Sequence, residues 1–398
     1  MSLIRYLGRV VLIVSLCIGA AWASLYVFDR WAMDWLGIVP INLPGHDLAG
    51  SGPTIRSLDL YPWTGWQAQS DFRHQGDMPW ERQPHHDYHV TTGRLGFFEP
   101  DVLDVPPKGP CERRVILIGG SGAQGWGAQT NAHTIARRLE AHLSEHKALA
   151  GLQPKVFNLA MGASITYQNF IALNRWGHAL QPDLIVSYSG RNDYRIVEVD
   201  RSDAYYYFSQ LVALSEIVRR DTGTGFVAWL SESFPRLMEQ TTVGSSLRML
   251  SDYNRLQREA VTGYAQRLGY DRMSQAEFLE RVVVGGHIQA LKSIKRDFDG
   301  IPIALAWQAV HRDELAGSSF AQVRSDFYEH NFATITAALS GYINDGWIFL
   351  DAHRYMQQFP KENTGTHLGN AGQDLVGQFI ATGITPALEK TRGGCETR

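Results

Sequence analysis

The 398-residue sequence predicts an α/β fold, a three-layer α/β/α sandwich built on a five-stranded parallel sheet. Two observations carry that expectation. From Val115 onward, short apolar runs alternate with stretches of helical period, as they do when helices cover both faces of a parallel sheet. Each apolar run also stops abruptly at glycine or a small polar residue, as strands do at tight turns.

The strands read in order as Val115–Ile118, Val156–Leu159, Asp183–Tyr188, Ile301–Ala306 and Trp347–Leu350. Helices are expected over Thr134–Leu143, Tyr167–Gly177 and Gln373–Ala381. The stretch from Tyr205 to Phe298 is helical in pattern and too long for a simple crossover. A helical insertion over about residues 200–298 is therefore expected beside the cleft.

The N-terminus departs from the average. No charge occurs from Val10 to Phe28, and Arg5 and Arg9 stand just before this run. At 1.5 Å per residue the run extends roughly 28 Å, close to the hydrocarbon thickness of a bilayer. Residues 1–29 therefore read as a single-pass membrane anchor whose basic flank stays cytoplasmic, with everything after Asp29 exported to the periplasmic side. The competing reading is a signal peptide cleaved after Ala23, because Ala21-Trp22-Ala23 has the small-x-small form; the protein would then be secreted. The apolar run continues through Leu25-Tyr26-Val27-Phe28, past that site, which favours retention.

Residues 30–110, rich in Pro, Trp, His and Gly, read as a juxtamembrane segment wrapping a domain that spans 111–398. A formal net charge of −3 and the absence of a basic run give no reason to expect a nucleic-acid partner. His85, His86, Asp87 and His89 are close in sequence, but on an irregular stretch with no matched second cluster, so neither a metal nor another cofactor is expected. Of three cysteines, Cys17 lies in the apolar run. Cys111 precedes the first core strand and Cys395 follows the last helix. In a βα fold both positions fall at the bottom of the sheet, which predicts a Cys111–Cys395 disulfide.

The chemistry-bearing residues sit at strand ends. Ser121 follows Val115-Ile116-Leu117-Ile118-Gly119-Gly120 and leads into Gly122-Ala123-Gln124-Gly125-Trp126-Gly127. A serine at such a strand-to-helix turn stands on the carboxyl edge of the sheet with backbone N–H groups beside it. The second strand leads into Asn158-Leu159-Ala160-Met161-Gly162-Ala163-Ser164, and the third into Ser189-Gly190-Arg191-Asn192-Asp193. Near the C-terminus, Thr366-His367-Leu368-Gly369-Asn370-Ala371-Gly372 precedes the last helical run.

These four places, in this order, resemble the sequence blocks of the SGNH (GDSL-like) hydrolase superfamily, in a bacterial subgroup that often carries a membrane anchor. Val90-Thr91-Thr92-Gly93-Arg94-Leu95-Gly96-Phe97 resembles the segment preceding the first block there. The resemblance implies a flavodoxin-like sandwich and ester chemistry on O-acyl groups, with cell-envelope glycans or lipids as the substrate class. Ser121 is then the nucleophile and His367 the base. The oxyanion donors are the Ser121 N–H, the Gly162 N–H and the Asn192 side-chain amide; Ala163 competes with Gly162, because the family's glycine usually stands one residue later. The family also places an aspartate three residues before the histidine, where this chain has Thr364. Glu362, Asn363 and Asp351 are the candidate orienting groups, and a serine–histidine dyad oriented by a backbone carbonyl is the alternative. Three functions stay open: esterase, O-acyltransferase of an envelope polysaccharide, and a non-catalytic carbohydrate-binding or assembly protein with a degenerate site.

Overall fold

The computed structural model describes residues 58–61, 65–68, 73–76, 88–98, 104–162, 164–195, 269, 272–311, 321–342, 346–363, 365–391 and 395. The candidate anchor and cleavage site, and residues 200–268, 270 and 271 of the expected insertion, lie outside the described residues. Among those described, no helix is long and apolar enough to cross a membrane.

Four short strands precede the domain. β1 (Leu58–Tyr61) pairs antiparallel with β2 (Gly65–Ala68), and β3 (Arg73–Gly76) with β4 (Tyr88–Thr91). The main sheet comprises β5 (Glu112–Gly119), β6 (Gln153–Asn158), β7 (Leu184–Ser189), β8 (Ile303–Trp307) and β9 (Trp347–Leu350). All four pairings are parallel, in the order β6-β5-β7-β8-β9. This is the flavodoxin-like doubly wound order, in which the direction of winding reverses beside the first strand. The carboxyl ends of β5 and β7 therefore flank the natural ligand crevice.

Alternate residues of each central strand feed two separate cores. Ile116, Ile118, Ile185, Ile303 and Leu305 face one core, and Val115, Leu117, Leu184, Val186, Ala304 and Ala306 the other. Burial on both faces explains why the strands read as unbroken apolar runs. Five helices bear on the site. α1 (Ser121–Gln124) is a single turn directly after β5, and α2 (Ile135–Glu145) follows it, capped by the Thr134 side chain. α3 (Thr166–Ala172) continues as a π-turn over Leu173–Gly177, and α4 (Arg191–Arg195) follows β7. α5 (Gly285–Asp297) lies between β7 and β8 in sequence. It buries His287, Leu291 and Ile294, so this end of the expected insertion packs onto the sandwich. α6 (Ala321–Ser340), α7 (Ala352–Met356) and α8 (Asn370–Lys390) follow in sequence. α2 and α8 cover one face of the sheet through Ile135, Leu139, Val376, Ile380 and Ile384. Leu173, Trp176, Leu291, Ile294, Ile335 and Leu339, carried by α3, α5 and α6, cover the other.

The bottom of the sheet is closed by polar ties. The buried Arg114 guanidinium donates to Glu112 Oε1 at 2.7 Å and to the carbonyls of Leu180 and Pro106 at 3.1 and 2.7 Å. Satisfied in this way, a charged residue can sit inside a core strand. Cys111 and Cys395 form a disulfide there, with Cα atoms 5.6 Å apart.

The segment before the domain docks on the loop that follows Ser121. Asn131 donates to the carbonyls of Thr91 and Phe98, both at 2.8 Å, and Phe98 meets the Trp126 ring edge-on at 5.2 Å.

Candidate active site

The site begins at the end of β5. Gly119 and Gly120 let the strand close up against its neighbours: a side chain at Gly119 would run into the carbonyl of Tyr188 and the methyl of Ala123. Ser121 then opens α1. N–H groups in the first turn of a helix have no intrahelical acceptor, so they are directed at whatever lies beyond the helix end. The turn closes at Gly125, which has φ +110. Four residues are too few to show a helical period, which is why the sequence revealed only the later helix.

His367 arrives from the far end of the chain. Its Nε2 lies 2.8 Å from Ser121 Oγ across a sequence separation of 246, and both side chains are half-buried. The imidazole is therefore within reach of the hydroxyl proton. Leu368, just after it, is buried in the α2/α8 core and fixes one end of the loop.

Asn192 stands at the first turn after β7. Its Nδ2 donates to the Ser164 carbonyl at 2.8 Å and lies directly over Gly120, where even a methyl group would collide with it. The amide thus bridges the turn before Ser121 and the loop after β6. That loop is held from both ends. Met161 N–H donates to the Gly119 carbonyl at 3.0 Å, and the Ser164 hydroxyl lies 2.9 Å from the same carbonyl. Asp193, buried beside Asn192, accepts from the N–H and the hydroxyl of Thr166, both at 3.0 Å. Gly162 is buried on this loop; Ala163, its competitor as donor, lies outside the described residues.

Beneath Asn192 an aromatic cluster supports the turn. Trp307 lies edge-on to Tyr194 at 5.3 Å, packs on Tyr328 at 4.7 Å and stacks on His287 at 5.9 Å. Burial pushes the Tyr194 and Tyr328 phenols well above their usual range, so they act as neutral packing groups. Burial likewise lowers the His287 pKa, an effect that the nearby Asp193 charge opposes in part. His287 Nε2 faces Ser189 Oγ at 3.3 Å.

The candidate orienting groups have separate fates. Asp351 caps α7, its Oδ1 accepting from the Arg354 N–H at 2.9 Å. Asn363 is buried, with no hydrogen-bond partner for its Oδ1 among the described residues, and Glu362 is half-buried. Thr364, at the position where the family pattern has its acid, lies outside the described residues. His85, His86 and Asp87 of the histidine-rich stretch also lie outside them, and His89 is exposed. No group of metal-ligating side chains gathers among the described residues.

Two glutamines to which the sequence reading gave no role at the site line it. Gln308, directly after β8, is buried with its Nε2 against Gly122; its N–H donates to the Ser189 carbonyl and its carbonyl accepts from Tyr328 Oη at 2.6 Å. Gln373, on α8, reaches the backbone on both sides of the Ser121–His367 pair. Neither had a signal in the sequence: a lone glutamine inside a helix or after a strand fits no motif.

No family model matches the chain, and no curated protein matches it by sequence. Solved structures similar to it include a lipase/acylhydrolase from Enterococcus faecalis, 12% identical with a TM-score of 0.39, the match covering 69% of this chain and 96% of that one. An acetyl xylan esterase is 13% identical with a TM-score of 0.36, covering 69% and 98%.

Proposed function

We propose that the chain is a serine hydrolase of the SGNH (GDSL-like) type that cleaves O-acyl esters through an acyl-enzyme on Ser121. The observation that carries this reading is the 2.8 Å contact between His367 Nε2 and Ser121 Oγ, made at the carboxyl edge of a doubly wound sheet. His367 takes the hydroxyl proton as Ser121 Oγ attacks the ester carbonyl. It then returns the proton to the departing alkoxide, and the ester C–O bond breaks to leave an acyl-serine. Water, activated by the same imidazole, attacks the acyl carbon and releases the acid and the free serine. The carbonyl oxygen becomes an anion in both steps. The proposed donors to it are the Ser121 N–H, the Gly162 N–H and the Asn192 side-chain amide, one from each of three strand ends, and each such donor typically supplies a factor of roughly 10²–10³ in turnover.

Export is part of the proposal. It rests on the uncharged run from Val10 to Phe28, and the Cys111–Cys395 disulfide supports an oxidising compartment. The proposed substrates are acylated glycans or lipids of the cell envelope, met at the membrane through the N-terminal apolar run.

Hydrolysis of short-chain acyl esters by the full chain tests the reading. Turnover that disappears in Ser121→Ala and falls in His367→Ala supports it, and turnover that survives Ser121→Ala overturns it. Adding glycan acceptor separates the two fates of the acyl group: free acid alone marks a hydrolase, whereas acylated glycan growing with acceptor concentration marks a transferase.

A further inference from the structure

We propose that Gln373 is a positioning residue that sets His367 against Ser121, an inference that rests on the acyl-enzyme reading above. The Gln373 side chain is fully buried, and both of its polar atoms are hydrogen-bonded. Oε1 accepts from the Ile135 N–H at 2.9 Å. Nε2 donates to the Leu368 carbonyl at 2.8 Å and lies 3.2 and 3.3 Å from the carbonyls of Gly125 and Trp126. An amide has two N–H protons for these three acceptors, so one goes to Leu368 and the other is shared. The orientation is forced. A flipped amide would set NH₂ against the Ile135 N–H and oxygen against three carbonyl oxygens.

The partners belong to three parts of the site. Leu368 is the residue after His367, Gly125 and Trp126 end the turn that Ser121 begins, and Ile135 opens α2. One rigid planar group therefore spans the base loop and the nucleophile turn. His367 needs such a tie, because its loop is bounded by Gly365 and Gly369 and its ring is only half-buried. A misplacement of about 1 Å at a reacting group can cost roughly 10²-fold in rate. Without the Gln373 amide, the residue after His367 loses its direct link to the nucleophile turn, and the paired Gln129–Asn370 hydrogen bonds and the packing of Leu368 remain as more distant ties.

The test is a double-mutant cycle read by the rate of fluorophosphonate labelling, using Gln373→Met, which keeps the volume and removes every hydrogen bond. Gln373→Met should slow labelling roughly tenfold or more in the presence of His367. In a His367→Ala background it should have little further effect, because a residue acting through the imidazole has nothing left to position. Unchanged labelling overturns the inference, as does the same slowing with and without His367, which marks general structural damage. If the wild type takes no label on Ser121, the acyl-enzyme reading itself fails; if it does, and only the cycle fails, this inference alone is lost. Should Gln373→Met not fold, the wild type still decides. In ¹⁵N-glutamine-labelled full chain, the Gln373 side-chain resonance should shift when a fluorophosphonate reacts at Ser121, and a resonance blind to that reaction overturns the assignment.

Discussion

Gly120→Ala tests the proposed oxyanion site without removing any of its polar groups. The backbone there is extended, at φ −84 and ψ −159, so alanine is tolerated conformationally and the effect is steric alone. The added Cβ would fall well inside 3.0 Å of Asn192 Nδ2 and 3.2 Å from its Cγ. Ordinary contact begins at 3.4 Å, so the amide must retreat by roughly 1 Å. That shift weakens its bond to the Ser164 carbonyl and withdraws the donor from the place where the oxyanion forms. Losing one such donor costs roughly 10²–10³ in kcat, or about 2.7–4 kcal/mol of transition-state stabilisation. The ground-state cost is one hydrogen bond, about 1 kcal/mol, so Tm should fall by only a few degrees. Steady-state ester hydrolysis and a thermal melt on the same preparation read both quantities. The decisive arm is the double variant Gly120→Ala/Asn192→Ala, which removes the clash together with the amide and should be no slower than Asn192→Ala alone. A Gly120→Ala enzyme of full activity, or one whose defect multiplies that of Asn192→Ala, would refute the reasoning.

Gly127→Ala should act from the opposite side of the site. Its φ of +95 disfavours a side chain, and a Cβ there would meet the Leu368 carbonyl at 2.5 Å, so both kcat and Tm should drop, as kinetics and calorimetry on one sample would show. Opening the disulfide with Cys111→Ser/Cys395→Ser should lower stability by up to about 5–6 kcal/mol on chain-entropy grounds, since the closed loop is very long. Activity measured well below the melt should persist, because the bridge lies at the end of the sheet remote from Ser121; an unchanged Tm would contradict the stabilising role. Burial holds the His287 pKa below 6.5, so the neutral ring contributes stability that is fully present above that pH and lost as pH falls toward the depressed value. Denaturant midpoints measured from pH 7 to pH 5 should therefore fall less steeply in His287→Phe than in the wild type.

Much of the sheet could be read from the chain because strands buried on both faces must be apolar along their length. The run Val115–Ile118 followed by two glycines marked both the strand and the turn that carries Ser121. The extra length of β5 was hidden, since Arg113 and Arg114 look like the end of a strand until their carbonyl and carboxylate partners are seen. The helix Gly285–Asp297 was read as part of an inserted cap, because its pattern is continuous with the helical stretch before it; only its contacts assign it to the sandwich. At the site, Ser121, Asn192 and His367 each stood within two residues of a glycine at a strand or helix boundary, a local signal. Gln373, Gln308 and the Asp193 clamp on Thr166 act across distant segments, and nothing local distinguishes them from ordinary polar residues. Asp351 shows the converse, because a carboxylate beside a strand end serves equally well as the helix cap it forms here.

The central claim is tested most directly by incubating the folded full chain with a fluorophosphonate and mapping the adduct by peptide mass spectrometry. The account expects one phosphonylated residue, Ser121, formed more slowly in His367→Ala and absent in Ser121→Ala. Folded protein that takes no label, or carries it on another serine, would contradict the account.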